Sequence, residues 1–259
     1  MPISRTTALG DYRINRIGLG TNRLSDTEET RAFLRAAVDA GVSFIDTAHL
    51  YTGGDSERAI GSALAPFADD LVVATKGGYE PGGGRPEQLR AELDESFERL
   101  RTDTIALYYL HRVDPEVPLE ETLGVLKESR DAGSLRHVGL SEVTVGQIER
   151  AQAVLPIAAV QSEYNLSERK YDDVVDFCDA QNIAFVPFYP LRGETPAALA
   201  EVARRYNASA QQIKLAWLLK RSPRVVPIPG TLSLDHLMNN LAALDLELSA
   251  EDYATLDAR

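Results

Sequence analysis

The chain has 259 residues, 44% of them hydrophobic and 25% charged, a balance that suits a folded protein with a substantial core. A formal net charge of −12 excludes a nucleic-acid backbone or an anionic membrane surface as the main partner, although a local basic pocket is still allowed. One cysteine, Cys178, excludes an internal disulfide; with no apolar stretch in MPISRTTALG and no run near the roughly 18 apolar residues of a membrane span, a cytoplasmic protein is expected.

In chain order, TTALGDYRIN reads as a hairpin around Gly10-Asp11 that covers one end of the core. A strand over Arg16 to Gly20 follows. Ser25-Asp26 then reads as a helix start, with Glu28 and Glu29 in its first turn, Phe33, Leu34, Ala37 and Val38 on its apolar face, and Gly41 where the helix stops. Val42 to Ile45 is a short apolar strand that delivers Asp46 and, five residues on, Tyr51, before a glycine-rich turn and a new helix. Leu71 to Thr75 ends in Lys76, and the loop GGYEPGGGRPEQ leads to a helix with Leu89, Leu93, Phe97 and Leu100 at helical spacing. Ile105 to Leu110 ends in His111, and the helix carrying Leu119, Leu123 and Leu126 closes at Gly133. His137 to Leu140 ends at Ser141, Ala158 to Val160 leads into Gln161, and Ile183 to Val186 leads into Phe188-Tyr189-Pro190. Val225 to Ile228 runs into Pro229-Gly230-Thr231, and helices lie around Val174 to Cys178, Leu199 to Tyr206, Ile213 to Leu219 and Leu237 to Leu241.

Eight near-continuous apolar strands, centred on residues 17, 44, 73, 107, 138, 159, 185 and 226 and each followed by a helix, predict an α/β fold. The expected form is a closed (β/α)8 TIM barrel with a short N-terminal β-hairpin, one domain over 1–259. No GxGxxG follows the first strand, which removes the main support for a Rossmann domain.

In such a barrel the C-terminal strand ends converge on one mouth. Asp46 and Tyr51 follow the second strand, Lys76 ends the third and His111 the fourth, so four titratable groups share one rim. A buried lysine needs a counter-charge, which Asp46 supplies, and an ammonium beside a phenol lowers the phenol's pKa and makes Tyr51 a usable proton donor. His111 adds a group able to hold a carbonyl oxygen. Singly each has a plain alternative: Asp46 a helix cap, Tyr51 rim packing, Lys76 a structural ion pair, His111 a core histidine. Four together at adjacent strand ends favour catalysis. Cys178 reads as a small buried apolar residue, His49 and His137 as structural, and Arg192 as either a phosphate contact or a solvated charge.

FIDTAHLYTGGDSE, VVATKGG, YYLHRVD, HVGLSEV, AVQSEYNL and VPIPGT…HLMNNLAA, in this order across nearly the whole chain, resemble the aldo-keto reductases. VPFYPL and PIPGT resemble a bacterial branch of that family that includes pyridoxal reductases. The resemblance implies a reductase of small-molecule aldehydes or ketones using NADP (NADPH), with NAD possible, no metal, and a monomer or small homo-oligomer. It makes Tyr51 the general acid and Lys76 its pKa-lowering neighbour, held by Asp46 beside the cofactor, while His111 orients the carbonyl. Ser141 and Gln161 align with contacts to the nicotinamide carboxamide, Phe188 with the aromatic that stacks on the ring, and Thr21 with the ribose side. Tyr189, Pro190, Leu191 and Gly193 align with the pyrophosphate, and Gly230, Thr231, His236, Asn239 and Asn240 with the adenosine end. Glu142 departs from the usual Asn, and an ionised Glu only accepts hydrogen bonds. Gly230 and His236 replace the usual Lys and Arg at the 2′-phosphate, so the NADP preference is expected to be modest and pH-dependent, because a histidine gains charge only below about pH 6.5. A short loop after Lys76 and the end at Arg259, soon after the last predicted helix, imply an open mouth tolerant of aldehydes, pyridoxal among them. Two other functions compete: an aldolase with a Lys76 Schiff base and no dinucleotide, and a non-catalytic cofactor-binding sensor or scaffold.

Overall fold

The computed structural model describes residues 4–258; residues 1–3 and 259, which complete the predicted 1–259 span, lie outside it. Strands β1 (Thr6–Leu9) and β2 (Tyr12–Asn15) pair antiparallel through a turn in which Gly10 takes φ +57°, a value that favours glycine. Alternation puts Leu9 and Ile14 on one face, fully buried against Phe44, Val72 and Leu107. The hairpin therefore plugs the barrel at the end opposite the predicted site. Its turn is fastened by Asp11, which His137 meets at 2.6 Å and Arg136 also binds, so His137 is a structural residue.

The barrel strands are β3 (Leu19–Gly20), β4 (Phe44–Asp46), β5 (Val72–Gly77), β6 (Ile105–Leu110), β7 (Leu135–Ser141), β8 (Ile157–Glu163) and β9 (Ala184–Phe188), parallel and adjacent in sequence order. Every residue of β5 is buried, as expected of a strand covered on both faces. The eighth stave, 225–229, closes the ring without forming a full ladder. Pro227 and Pro229 have no N–H, so donation to β9 comes from the residue before each: Val226 to Phe185 O at 2.8 Å and Ile228 to Pro187 O at 3.2 Å. On the other side the proline carbonyls accept from Gly18 at 3.0 Å and Gly20 at 3.4 Å. Pairing is thus reduced to isolated bridges, Gly20 with Gly230 and Phe185 with Val225.

Helices α1 (Glu28–Asp39), α2 (Asp55–Leu64), α3 (Pro86–Leu100), α4 (Leu119–Asp131), α5 (Val145–Gln152) and α6 (Asp172–Gln181) follow β3 to β8 in turn. Helices α7 (Ala197–Arg205) and α8 (Ala210–Arg221) follow β9, and α9 (Leu234–Leu241) and α10 (Ala250–Asp257) follow the last stave. Arg16, almost fully buried, ties the first stave to the last by donating from Nε to Val225 O at 3.3 Å, and its Nη2 donates to Leu219 O at 2.7 Å and Ser222 O at 2.5 Å, satisfying carbonyls at the end of α8. Three details differ from the sequence reading. The N-cap of α1 is Thr27, which accepts from Thr30 N at 3.2 Å, whereas Asp26 pairs with Arg31 at 2.8 Å. Helix α5 is the helix expected after the strand at 138 but given no residues there, though Thr144 and Gln147 form a capping box. Helix α10 was omitted; its Tyr253 stacks on Trp217 with ring centroids 6.2 Å apart.

Candidate active site

Strand β4 ends in Asp46, and the chain turns back at once. Thr52, Gly53 and Gly54 take φ of +48°, +64° and +88°, which folds a short 3-10 turn, Tyr51–Gly54, over the strand end and returns Tyr51 to the mouth. Lys76, on β5, has no exposed surface. Its Nζ donates to Asp46 Oδ1 at 2.6 Å, to Thr47 O at 2.8 Å and to Tyr51 Oη at 3.4 Å, so all three protons have acceptors. Gln161 Nε2 donates to the other Asp46 oxygen at 2.8 Å. His111 continues β6 by donating its N–H to Gly77 O at 2.8 Å. Its ring meets Tyr51 edge-on, centroids 6.2 Å apart, and lies 4.8 Å from Tyr79, and its buried Nδ1 has no protein partner.

The electrostatics revise one expectation. Burial alone would disfavour the Lys76 ammonium, but attraction to Asp46 and contact with Tyr51 outweigh it, and the Lys76 pKa is raised. Burial also pushes the Tyr51 phenol above its ordinary value of 10.0; Lys76 pulls it back without cancelling the rise, to which Asp46 adds. The sign is therefore opposite to the predicted lowering, because desolvation of the phenolate exceeds the attraction of the ammonium. Tyr51 stays protonated near neutral pH, as a proton donor must. Burial, with Lys76 and Arg112 nearby, takes the His111 pKa down to about 2, so the imidazole is neutral. A Schiff-base role for Lys76 conflicts with this geometry, since a protonated amine enclosed by three acceptors is no nucleophile.

A cavity of about 900 Å³ opens over these groups. Of the predicted cofactor residues, Thr21, Asp46, Ser141, Glu142, Gln161, Phe188, Tyr189, Pro190, Leu191, Gly230 and Thr231 line it together with Tyr51 and His111. Thr21 is also a brace, donating from Oγ1 to Asp46 O at 2.7 Å. Glu142 has φ +58°, and its carboxylate accepts from Glu163 N at 2.8 Å and from Tyr171 Oη at 3.0 Å. Phe188 and Tyr189 meet edge-on at 5.2 Å. Gly193, His236, Asn239 and Asn240 do not line this cavity. Gly193 O, like Leu191 O, accepts from Lys214 Nζ, at 2.9 and 3.1 Å, which fixes the loop after β9. His236 is exposed on the first turn of α9, Asn239 donates to Ser209 Oγ at 3.2 Å, and Asn240 is buried.

Tyr79, Arg112, Glu163 and Arg23 line the mouth but were not singled out from the sequence. For Arg112 a signal existed, since it directly follows His111 at a strand end. Arg192, left open between two roles, lies over the Tyr189 ring at 3.7 Å and pairs with Glu163 at 2.7 Å. His49 contacts Glu95 at 2.9 Å, and burial pushes the Cys178 thiol up to about 12, leaving it inert. Among the described residues no cluster of three or more His, Cys, Asp or Glu side chains is placed to hold a metal, and no helix is long and apolar enough to cross a membrane.

The family model of the aldo/keto reductases matches residues 16–194 and 189–259. An uncharacterised oxidoreductase of Schizosaccharomyces pombe, C215.11c, is 38% identical, over 97% of this chain and 89% of its own length. Pyridoxine 4-dehydrogenase of Escherichia coli is 36% identical, over 98% of each chain. Among solved structures, the thermostable aldo-keto reductase Tm1743 superposes with a TM-score of 0.90 at 33% identity, covering 97% of this chain and 98% of that one. An aldo/keto reductase of Klebsiella pneumoniae, solved with NADP and acetate, superposes with a TM-score of 0.88 at 27% identity, covering 98% and 95%. With the family model spanning everything from the first stave to the end, this chain belongs to the aldo/keto reductase family.

Proposed function

We propose that this protein reduces an aldehyde or ketone to an alcohol with NADPH or NADH, Tyr51 acting as the general acid within a single barrel domain. The observation that carries the reading is the Lys76 ammonium, bridging Asp46 at 2.6 Å and Tyr51 at 3.4 Å beneath the cavity, with a neutral His111 beside them. The residues suit a nicotinamide cofactor: Ser141 and Gln161 offer polar groups at adjacent strand ends, and Phe188 offers an aromatic face. The K. pneumoniae relative, solved with NADP, supports that fit.

When bound, the reduced nicotinamide supplies the hydride. Tyr51 gives its proton to the carbonyl oxygen, and Lys76 stabilises the negative charge that develops on the phenol oxygen. Asp46 keeps Lys76 charged and aimed, Gln161 steadies Asp46, and neutral His111 offers a hydrogen bond to the carbonyl without adding a charge. Gly230 and exposed His236 stand where the family pattern puts Lys and Arg at a 2′-phosphate, so only a modest preference for NADPH over NADH is expected. The name of the E. coli relative supports pyridoxal or pyridoxine as candidates to test. The function is checked by following NADPH oxidation against a panel of aldehydes that includes pyridoxal. Aldehyde-dependent oxidation with one alcohol formed per cofactor is expected. Tight NADPH binding without turnover on any aldehyde would instead favour the sensor or scaffold reading.

A further inference from the structure

The carboxylates that line the mouth all have partners. Asp46 is held by Lys76 and Gln161, Glu142 by Tyr171 and the Glu163 amide, and Glu163 by Arg192. Arg112 is the opposite case. It is half-buried against the mouth, yet it makes no ion pair with any carboxylate among the described residues. The nearest acid in sequence, Asp114, is turned to the amides of Glu116 at 2.9 Å and Gly84 at 3.2 Å.

Arg112 is nonetheless held in place. Its Nη1 donates to its neighbour's carbonyl, His111 O, at 2.6 Å and to Ser141 Oγ at 3.1 Å, and its guanidinium lies 5.3 Å from the centre of the Tyr79 ring. Nε and Nη2 have no acceptor among the described residues. Tyr79 in turn packs on His111, so the same wall carries the group proposed to hold the carbonyl and a guanidinium with unused donors. A partly desolvated cation is favourable only where an anion completes it, and a planar guanidinium matches a carboxylate in particular.

We propose that Arg112 is a specificity-determining residue that binds the carboxylate of aldehydes bearing a second, acidic group. The inference rests on the carbonyl-reductase reading above. It adds a substrate class: bifunctional carbonyl compounds, oxidised at one end and anionic at the other, drawn into a cationic wall of an otherwise acidic protein. Arg23, exposed elsewhere on the same mouth with no hydrogen-bond partner among the described residues, adds to the field on entry.

The test compares kcat/KM for 4-carboxybenzaldehyde with that for benzaldehyde, and for succinic semialdehyde with that for butanal, in the wild type, Arg112→Met and Arg112→Lys. NADPH dissociation constants are measured in parallel. The wild type is expected to favour each acidic aldehyde. Arg112→Met should lose roughly ten- to a hundredfold on the acidic member, as expected for a hydrogen-bonded charge pair, while the neutral member changes less than about threefold. Arg112→Lys should recover part of the loss, which a packing role would not explain. Equal losses on acidic and neutral aldehydes would overturn the inference. So would a loss confined to NADPH affinity, which would assign Arg112 to the cofactor's phosphates. Failure of the wild type to reduce any of the four would defeat the underlying reductase reading, a result distinct from either of these.

Discussion

Asp46→Asn keeps the shape of the side chain and removes its charge. Lys76, with no exposed surface, would then hold an ammonium among neutral acceptors alone: Thr47 O at 2.8 Å, Tyr51 Oη at 3.4 Å and the oxygen of the new amide. Breaking a buried pair from one side leaves an uncompensated charge and costs about 3–5 kcal/mol. Removing both charges, in Asp46→Asn with Lys76→Met, leaves two neutral groups in the same space and should cost less than the sum of the single changes by at least ~2 kcal/mol. The assay is urea unfolding of the cofactor-free protein near neutral pH, with the full double-mutant cycle and a check that the slope against urea is unchanged. The pH dependence adds a control. In Asp46→Asn, burial without a counter-charge lowers the Lys76 pKa below its unfolded value, so the deficit deepens as pH falls through the lysine range and eases as pH is raised above about 9. A cost under about 1 kcal/mol for Asp46→Asn together with a coupling near zero would refute the claim that the two charges depend on each other.

His111, with a folded pKa of about 2 against an ordinary 6.5, binds its proton more readily when unfolded; the stability it confers is therefore present above pH 6.5 and lost as pH falls. One proton across that window amounts to about 2 kcal/mol between pH 7 and pH 5, a slope that His111→Gln should flatten in denaturant titrations at the two pH values. Glu142→Asn removes a carboxylate that would favour the positively charged oxidised nicotinamide, and Asn suits the φ of +58° better; NADP should weaken by at least about threefold relative to NADPH, and unchanged dissociation constants for both would contradict that attraction. Lys214→Ala frees the Leu191 and Gly193 carbonyls; two lost hydrogen bonds should cost about 1–3 kcal/mol in urea unfolding, and the loosened loop should release NADPH roughly tenfold faster by stopped-flow fluorescence.

The barrel was legible because its strands, buried on both faces, read as continuous apolar runs each ending in a polar residue. Asp46, Lys76 and His111 could be assigned to one rim for that reason, and Tyr51 came with them through the glycine-rich turn. Partial ladders and helix ends were less visible. Whether Pro227 and Pro229 still close the ring depends on which side of the stave each carbonyl faces, and the cap fell at Thr27 because Asp26 had a competing partner in Arg31. The sign of the Tyr51 shift was not legible, since proximity to Lys76 is written in the motif while the degree of burial that outweighs it is not. Arg112 could have been noticed from its place beside His111, but its missing partner shows only in the arrangement of Asp114, Glu142 and Glu163. The placement of Gly193, His236, Asn239 and Asn240 around a cofactor rests on resemblance alone.

The central claim, that Tyr51 protonates a carbonyl oxygen while the nicotinamide supplies hydride, is tested most directly by single-turnover reduction of one accepted aldehyde with NADPH deuterated at the transferring carbon. Wild type and Tyr51→Phe are compared after NADPH affinity is shown to be equal. Deuterium should appear on the alcohol carbon in the wild type, and Tyr51→Phe should slow the transfer by roughly 10²–10⁴-fold. Transfer by Tyr51→Phe within a few-fold of wild type, or an alcohol without deuterium, would contradict the account.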